Sequence, residues 1–197
     1  MAPEEGAGAG RRAGGVTARP TPVLRTARLV LRPRVVEDAD ALFPAFADVD
    51  AMRYWSGPPH IDLAETRRVL AQRDPAWRCW AITRAGGDAA IGFVAVGEKR
   101  QGNVSELAYL LARAHWGTGI AGEAVSAVID RLFEEGQRRV FADVDPDHVA
   151  SRRLLEKLGF TLEGILRAEW ETHIGVRDTA LYGLLASDGS ARGAEQV

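Results

Sequence analysis

The sequence is short of three things: cysteine, net charge and long apolar runs. Its 197 residues include one cysteine, Cys79, which excludes an internal disulfide or multi-cysteine zinc site and favours a reducing cytoplasm. Lys and Arg number 25 against 27 Asp and Glu, a net charge of −2, so we expect no broad basic surface for nucleic acid. The longest apolar run, 89–97, falls far short of the roughly 20 residues that a membrane-spanning helix needs. We therefore expect a cytoplasmic protein that binds neither nucleic acid nor membrane.

Both ends of the chain also lack periodic apolar residues. Residues 1–22 are rich in Gly, Ala, Arg and Pro, and residues 187–197 are similarly small and polar. Such segments cannot bury enough apolar surface to fold, so we expect two disordered tails. Residues 23–186 have the length of one domain.

Within 23–186, the spacing of apolar residues predicts an α/β (α+β) domain. The predicted elements are, in order, a strand at 27–34, a helix at 37–48, a helix that begins at Asp62 with Glu65 completing a capping box, strands at 77–85, 90–98 and 105–112, a helix at 118–135, a strand at 139–145, a helix that ends at Gly159, and strands at 161–170 and 176–185. The order β-α-α-β-β-β-α-β-α-β-β predicts one mixed sheet with helices on its faces.

The segment 115–123, His-Trp-Gly-Thr-Gly-Ile-Ala-Gly-Glu, lies between a predicted strand and a predicted helix. The first N–H groups of a helix have no intrahelical acceptor, and the helix dipole is positive there. Small residues let a phosphate approach the backbone closely. The segment therefore predicts a site for a phosphate-bearing ligand, and the alternative is a tight turn whose glycines serve packing only.

The same segment matches the dinucleotide-binding pattern G-x-G-x-x-G through Gly117, Gly119 and Gly122, with Asp143 and Asp145 downstream as candidate ribose ligands. That pattern normally follows directly on a parallel strand. Here five residues intervene after the strand, and the preceding strands are predicted to be antiparallel. A nucleotide-dependent oxidoreductase therefore remains the less favoured alternative.

Several collinear segments resemble the GNAT superfamily of acetyltransferases, and in particular its RimJ/RimL-like branch of ribosomal-protein N-terminal acetyltransferases. They are ELAYLL at 106–111, WGTGIAGEA at 116–124, VDPDHVASRRLLEKLGF at 144–160, RDTALYGLL at 177–185, LRTARLVLRP at 24–33 and DAMRYWSGPP at 50–59. The resemblance covers 23–186 and implies a mixed, mostly antiparallel sheet flanked by helices. It also implies that acetyl-CoA donates an acetyl group to a primary amine, of a protein N-terminus or a small molecule, by direct attack on the thioester. The protein would act as a monomer or homodimer.

The resemblance further implies which residues hold acetyl-CoA. The pyrophosphate would lie on the backbone of the glycine loop, which comprises Trp116, Gly117, Thr118, Gly119, Ile120, Ala121 and Gly122. Backbone groups of Leu110 and Leu111 would pair with the pantetheine amides. His148 and Ser151 would contact the same arm.

For catalysis, the resemblance implies that Glu106 is the base that takes a proton from the acceptor amine, with Asp145 as the second candidate. Ser151 would hydrogen-bond the cofactor or protonate the leaving thiolate. Leu155 stands where many family members have a general-acid tyrosine, and His148 replaces the usual Asn. These departures leave a second alternative open, a non-catalytic acyl-CoA-binding module.

On the acceptor side, the resemblance places Tyr54 and Trp55 in the loop that would line the amine site. Paired aromatic rings suit an amine-bearing peptide or ring, although they could equally be buried under the loop. Three histidines, His60, His115 and His173, have no partners at metal-ligand spacing, so no metal is expected.

Overall fold

The computed structural model describes residues 19–72, 74–99 and 101–188. Its strands are β1 (Leu24–Arg25), β2 (Leu29–Pro33), β3 (Trp77–Arg84), β4 (Ala90–Glu98), β5 (Val104–Leu111), β6 (Arg139–Val144), β7 (Thr161–Thr172) and β8 (Gly175–Leu185). Its α-helices are α1 (Ala39–Phe46), α2 (Val49–Met52), α3 (Leu63–Ala71), α4 (Ile120–Glu134) and α5 (Val149–Lys157).

All eight strands lie in one sheet, in the order β1-β2-β3-β4-β5-β6-β8-β7. Neighbouring strands are antiparallel except β5 and β6, which are parallel and joined through α4. This arrangement confirms the predicted α/β class with a mixed, mostly antiparallel sheet.

The two faces of the sheet carry separate apolar cores because side chains alternate along each strand. Helices α4 and α5 cover one face, where α4 buries a stripe formed by Ile120, Val125, Val128, Ile129 and Leu132. The other face packs against α1, α2 and α3. The site described below lies where these two layers meet at the centre of the sheet.

The observed elements differ from the predicted ones mainly before residue 75. A two-residue strand, β1, precedes β2, and helix α2 lies at the start of the segment predicted as a loop. Asp48 explains α2, since its carboxylate accepts hydrogen bonds from Asp50 N (2.9 Å) and Ala51 N (3.0 Å). At α3, Asp62 accepts from Glu65 N (2.7 Å), but Glu65 accepts from Ile61 N rather than from Asp62 N. The predicted capping box is therefore shifted by one residue.

Most of the predicted tails, residues 1–18 and 189–197, lie outside the described residues. Residues 19–22 are described, and they contact the sheet: the Pro20 carbonyl accepts from Arg78 Nη1 (3.2 Å) and the Pro22 carbonyl from Trp80 Nε1 (2.8 Å). Among the described residues, no helix combines the length and apolar composition needed to cross a membrane.

Candidate active site

A fork in the sheet defines the site. Strands β5 and β6 pair at three positions only, the last being Glu106 with Phe141, and then separate. A cavity of about 250 Å³ lies in the fork. The residues that line it come from the start of β3, from β5, β6 and α5 with the segment between them, from the β7–β8 hairpin and from the loop after α2. They include Glu106, Tyr109, Asp143, His148, Ser151 and Trp170.

Beyond β5, the chain enters the glycine loop and then α4. Gly117 and Gly119 have φ angles of +70° and +78°, which only glycine adopts without strain, and Gly119 is the N-cap of α4. A Cβ on Gly117 would meet no atom within 4 Å, so the backbone there is open to a ligand. The first N–H groups of α4 lack intrahelical acceptors. This geometry fits an anionic phosphate group.

Side chains from outside the loop hold it in place. Arg28 Nη1 donates to the carbonyl of Thr118 (3.0 Å), and Arg28 Nε donates to Glu123 in the first turn of α4 (2.6 Å). Trp116 Nε1 donates to the Leu111 carbonyl at the end of β5 (2.7 Å). The loop conformation is therefore fixed before any ligand binds. No sequence pattern pointed to Arg28, because this residue directly precedes β2 and is far from the loop along the chain.

Leu110 and Leu111 lie at the end of β5, where the strand has left β6. Their side chains are buried in opposite cores. Only their backbone groups could therefore contact a ligand in the fork, and of these the Leu111 carbonyl already accepts from Trp116 Nε1.

Ser151 lies in the first turn of α5 and is buried. Its hydroxyl shares a hydrogen bond of 2.6 Å with the hydroxyl of Tyr109 on β5. Burial raises the pKa of Tyr109 to about 12, against the opposing effect of the bond to Ser151. The pair is therefore protonated at neutral pH and can donate to an anion. Leu155, which stands at the position implied above for a general-acid tyrosine, is fully buried in the core.

Tyr109 is a functional candidate that the sequence reasoning missed. It lies within the segment 106–111, in which the sequence pattern pointed to Glu106 and the two leucines. The signal was the alternation along β5, which places Tyr109 on the same face as α5.

Glu106 lies on the opposite face of β5 and forms an ion pair with Lys99. Asp143 lies across the fork on β6. Burial, followed by the negative charge of Glu106, raises the pKa of Asp143, and Lys99 opposes this effect. The cavity thus holds two carboxylates that repel each other, one of which has a lysine partner.

Asp145, the second candidate for the base, is in a different state. Arg177 binds it with two hydrogen bonds, of 2.7 and 3.0 Å. Burial would raise the pKa of Asp145, but Arg177 and the N–H of Asp147 outweigh it and hold that pKa below its usual range. A carboxylate so stabilised is a weak base, which counts against Asp145 in this role.

Tyr54 and His148 form one aromatic wall of the cavity. Their rings stack with centroids 4.7 Å apart and planes 24° from parallel, and the Tyr54 hydroxyl donates to the carbonyl of Asp147 (3.3 Å). Burial lowers the pKa of His148, although Asp145 opposes it. His148 is therefore neutral at pH 7 and can donate or accept one hydrogen bond.

Trp55 lies beside Tyr54 and also lines the cavity. Its ring packs against Phe93, with centroids 5.8 Å apart, and its carbonyl lies 3.1 Å from His173 Nδ1. His60 stacks on Phe46 in the core of the first helical layer. The described residues contain no cluster of three or more His, Cys, Asp or Glu side chains that could hold a metal ion.

The structure thus brings Glu106, Ser151, His148, Tyr54 and Trp55 to one cavity. It does not bring the glycine loop into the lining of that cavity. The loop and the backbone of Leu110 and Leu111 lie further along the fork, so a ligand that used both regions would have to be extended.

Comparisons with known proteins find one family of similar proteins. The model of the Acetyltransferase (GNAT) domain family matches residues 28–161. The chain is 33% identical over 174 residues to the uncharacterized N-acetyltransferase YoaA of Bacillus subtilis (strain 168), an alignment that covers 83% of this chain and 97% of that protein.

Two solved structures have the same fold. A probable acetyltransferase of the GNAT family from Chromobacterium violaceum ATCC 12472 superposes with a TM-score of 0.81 at 24% identity, covering 96% of this chain and 100% of that chain. RimL, a ribosomal L7/L12 alpha-N-protein acetyltransferase in complex with coenzyme A, superposes with a TM-score of 0.72 at 17% identity, covering 83% of this chain and 98% of that one.

Proposed function

Because the chain belongs to the GNAT family of acetyltransferases, we propose that it is an acetyl-CoA-dependent N-acetyltransferase of the RimJ/RimL-like branch. It transfers the acetyl group to a primary amine by direct attack of that amine on the thioester. The observation that carries this proposal is the fork between β5 and β6, which opens beyond Glu106 and leads towards a rigid glycine loop at the start of α4.

Acetyl-CoA fits the groups that the fork presents. The glycine loop from Trp116 to Gly122 offers backbone N–H groups and a helix N-terminus to the pyrophosphate. The backbone of Leu110 and Leu111 offers donors and acceptors to the pantetheine amides, and a neutral His148 can bond the same arm. Acetyl-CoA supplies the activated carbonyl, and the C–S bond of its thioester is exchanged for a C–N bond.

Glu106 accepts the proton that the acceptor ammonium must lose before it can attack. At pH 7, this loss costs about 1.4 kcal/mol for an α-amine of pKa about 8 and about 4.6 kcal/mol for a lysine-like amine of pKa about 10.4. A base in the cavity, or a water that it holds, lowers the barrier for both. Tyr54 and Trp55 position the acceptor on this side.

Ser151 and Tyr109 act on the leaving sulfur. One hydroxyl of the pair donates to the other, and the remaining O–H donates a hydrogen bond to the developing thiolate, whose thiol has a pKa of about 8.5 and needs no strong acid. Backbone N–H groups of β5 donate to the carbonyl oxygen as it gains charge. The nitrogen, which has already given one proton to Glu106, loses a second as the amide forms, and the sulfur gains one proton.

One experiment separates the candidate functions. Acetyl-CoA is titrated calorimetrically, and thiol release is then followed with a panel of N-terminal peptides, aminoglycosides and simple amines. We expect binding well below millimolar and acceptor-dependent release of thiol. Binding without release for every acceptor would favour the acyl-CoA-binding module, and no binding would refute the proposal.

The oxidoreductase alternative has less support. The glycine loop follows the fifth strand of the sheet, and the four strands before it are antiparallel. A dinucleotide fold needs its glycine loop after the first strand of a parallel sheet. A change in NADH fluorescence on mixing with the protein would restore this alternative.

A further inference from the structure

The ammonium group of Lys99 has surroundings that are unusual for a surface lysine. Its ammonium forms an ion pair with Glu106, and it lies 5.5 Å from the ring centroid of Trp77 and 5.8 Å from that of Phe141. Two aromatic faces and one carboxylate form a typical environment for an alkylammonium ion. We call Trp77, Glu106 and Phe141 the ammonium cage.

The cage belongs to the cavity in the fork. Trp77 and Glu106 line that cavity, and Phe141 is the residue paired with Glu106 at the point where β5 and β6 separate. Lys99 reaches the cage from the end of β4, where its backbone N–H donates to the Val104 carbonyl (2.9 Å). The ammonium of Lys99 thus contacts the carboxylate that the proposed mechanism uses as its base.

The charge of the cavity favours a cation. Its lining contains four carboxylates, of Glu106, Asp143, Asp145 and Asp178, and one guanidinium, of Arg177. Arg177 is already bound to Asp145, and Asp178 accepts a hydrogen bond from Ala168 N (2.8 Å). Asp143 has no hydrogen-bond or ion-pair partner among the described residues. Lys99 therefore neutralises only part of the negative charge at this end.

We propose that the ammonium of Lys99 occupies the place of the acceptor's ammonium, and that the acceptors are aliphatic ammonium ions that displace it. The inference rests on the proposed function in one respect, the assignment of Glu106 as the base. Lys99 would then be a built-in competitor that a weakly cationic amine, such as an arylamine, cannot displace.

Displacement is physically reasonable because Lys99 is held weakly. Its side chain is 33% exposed and that of Glu106 is 19% exposed, and an ion pair of this kind contributes little to stability. The flexible stem of lysine lets the ammonium move into solvent while the backbone stays in place.

The test uses the fact that the sequence has only two lysines, Lys99 and Lys157. Lys99→Met keeps the length and the apolar stem but removes the charge. Lys157→Met is the matched control, since Lys157 is exposed in the last turn of α5. The probe is butyltrimethylammonium, which cannot be acetylated and keeps its charge at every pH.

Calorimetric titration of the full chain with this probe gives the Kd directly. We expect Lys99→Met to bind it about threefold to tenfold more tightly than the natural protein, the magnitude of an ion pair and a cation–π contact. Lys157→Met should bind like the natural protein. Adding Phe141→Leu to Lys99→Met should remove most of the gain. Equal or weaker binding by Lys99→Met would overturn the inference.

A kinetic measurement separates this inference from the proposed function. Lys99→Met should lower KM for butylamine, and the control Lys157→Met should leave it unchanged. If no variant acetylates any amine but the probe still binds more tightly to Lys99→Met, the proposed function fails and the cage stands. If amines are acetylated and neither Kd nor KM changes in Lys99→Met, the cage is refuted and the proposed function stands.

Discussion

The glycine-loop side of the fork and the side that is proposed to bind the amine, called the acceptor side, are built by different means. On the glycine-loop side, the groups offered to a ligand are backbone amides, and the side chains of Arg28 and Trp116 only fix the backbone that carries them. On the acceptor side, the functional groups are side chains that the protein already pairs with one another, as in Lys99 with Glu106 and Arg177 with Asp145. One side is preformed and open, and the other is preformed and partly occupied by the protein itself.

Because of this difference, we expect substitutions on the two sides to have different effects. Changes on the acceptor side should alter turnover and leave the affinity for acetyl-CoA intact. Changes in the glycine loop should alter that affinity through the backbone. The following experiments test this contrast, beginning with the largest expected effect.

Replacing the candidate base should have the largest effect. Glu106→Gln keeps the shape of the side chain but cannot accept the proton of the acceptor ammonium, so we expect kcat to fall by about 100-fold or more. The Kd for acetyl-CoA, measured by calorimetry, should change by less than about twofold. Glu171→Gln is the control: Glu171 is exposed on β7, on the opposite face from its neighbours Trp170 and Thr172, which line the cavity. An unchanged kcat in Glu106→Gln would show that another group is the base.

Adding one methyl group to the glycine loop should weaken acetyl-CoA binding by about tenfold. Gly117→Ala places a Cβ where the backbone is open to a phosphate, and it strains a residue of φ +70°. Gly86→Ala is the matched control for Gly117→Ala. Gly86 has a φ of +84° and equally open surroundings, and it lies in the β3–β4 turn.

Both alanine variants should lose about 1 kcal/mol of unfolding free energy, the cost of the left-handed conformation. Denaturant unfolding measures this cost, and calorimetry measures the Kd. If Gly86→Ala weakens acetyl-CoA as much as Gly117→Ala does, the effect is one of stability and the loop is not the phosphate site.

Removing the Tyr109 hydroxyl should lower kcat by about threefold to tenfold, because the leaving thiolate loses part of its hydrogen bonding. Ser151→Ala should have a similar effect, and the double variant should be little worse than either single one. Tyr182→Phe is the control, since its hydroxyl donates to Glu156 (2.7 Å) in a purely structural contact. It should lower stability by about 1 kcal/mol without changing kcat. Additive losses in the double variant would mean that Tyr109 and Ser151 act independently.

The smallest effect concerns the pH dependence of stability. The pKa of Asp143 is raised in the folded protein, so its stabilising contribution is present below its unfolded pKa and is lost as pH rises through its folded pKa. At pH 7, Asp143→Asn should therefore increase the unfolding free energy by about 0.5 kcal/mol. At about pH 3 and below, where Asp143 is mostly protonated in both states, the two proteins should unfold nearly alike. A variant that is less stable than the natural protein at pH 7 would contradict this account.

The same contrast explains what the sequence could predict. The glycine loop was predicted because its signal is local: Gly117, Gly119 and the start of α4 adjoin in the chain, and their conformation follows from the residues themselves. The strands and long helices followed from their apolar periodicity. The exceptions were β1, which is two residues long, and α2, which depends on the cap formed by Asp48.

The acceptor side was predicted less completely because it depends on strand register. Glu106 was proposed as the base from its segment, but its ion pair with Lys99 was not predicted, since a lysine at the end of a strand has no distinctive pattern. Asp143 and Asp145 differ in pKa because Arg177 binds Asp145 and not Asp143. Arg177 lies 32 residues beyond Asp145 in the chain. Tyr109 was overlooked because its role depends on α5 packing over β5. Such contacts between distant segments carry no local signal.

The central claim is that acetyl groups pass from acetyl-CoA to a primary amine in the fork. It is tested most directly by following one reaction with two readouts, thiol release and mass spectrometry of the acceptor, in the natural protein and in Glu106→Gln. The account predicts one acetylated amine for each thiol released, and a loss of both in the variant. Release of thiol without an acetylated amine, or equal rates in the two proteins, would contradict it.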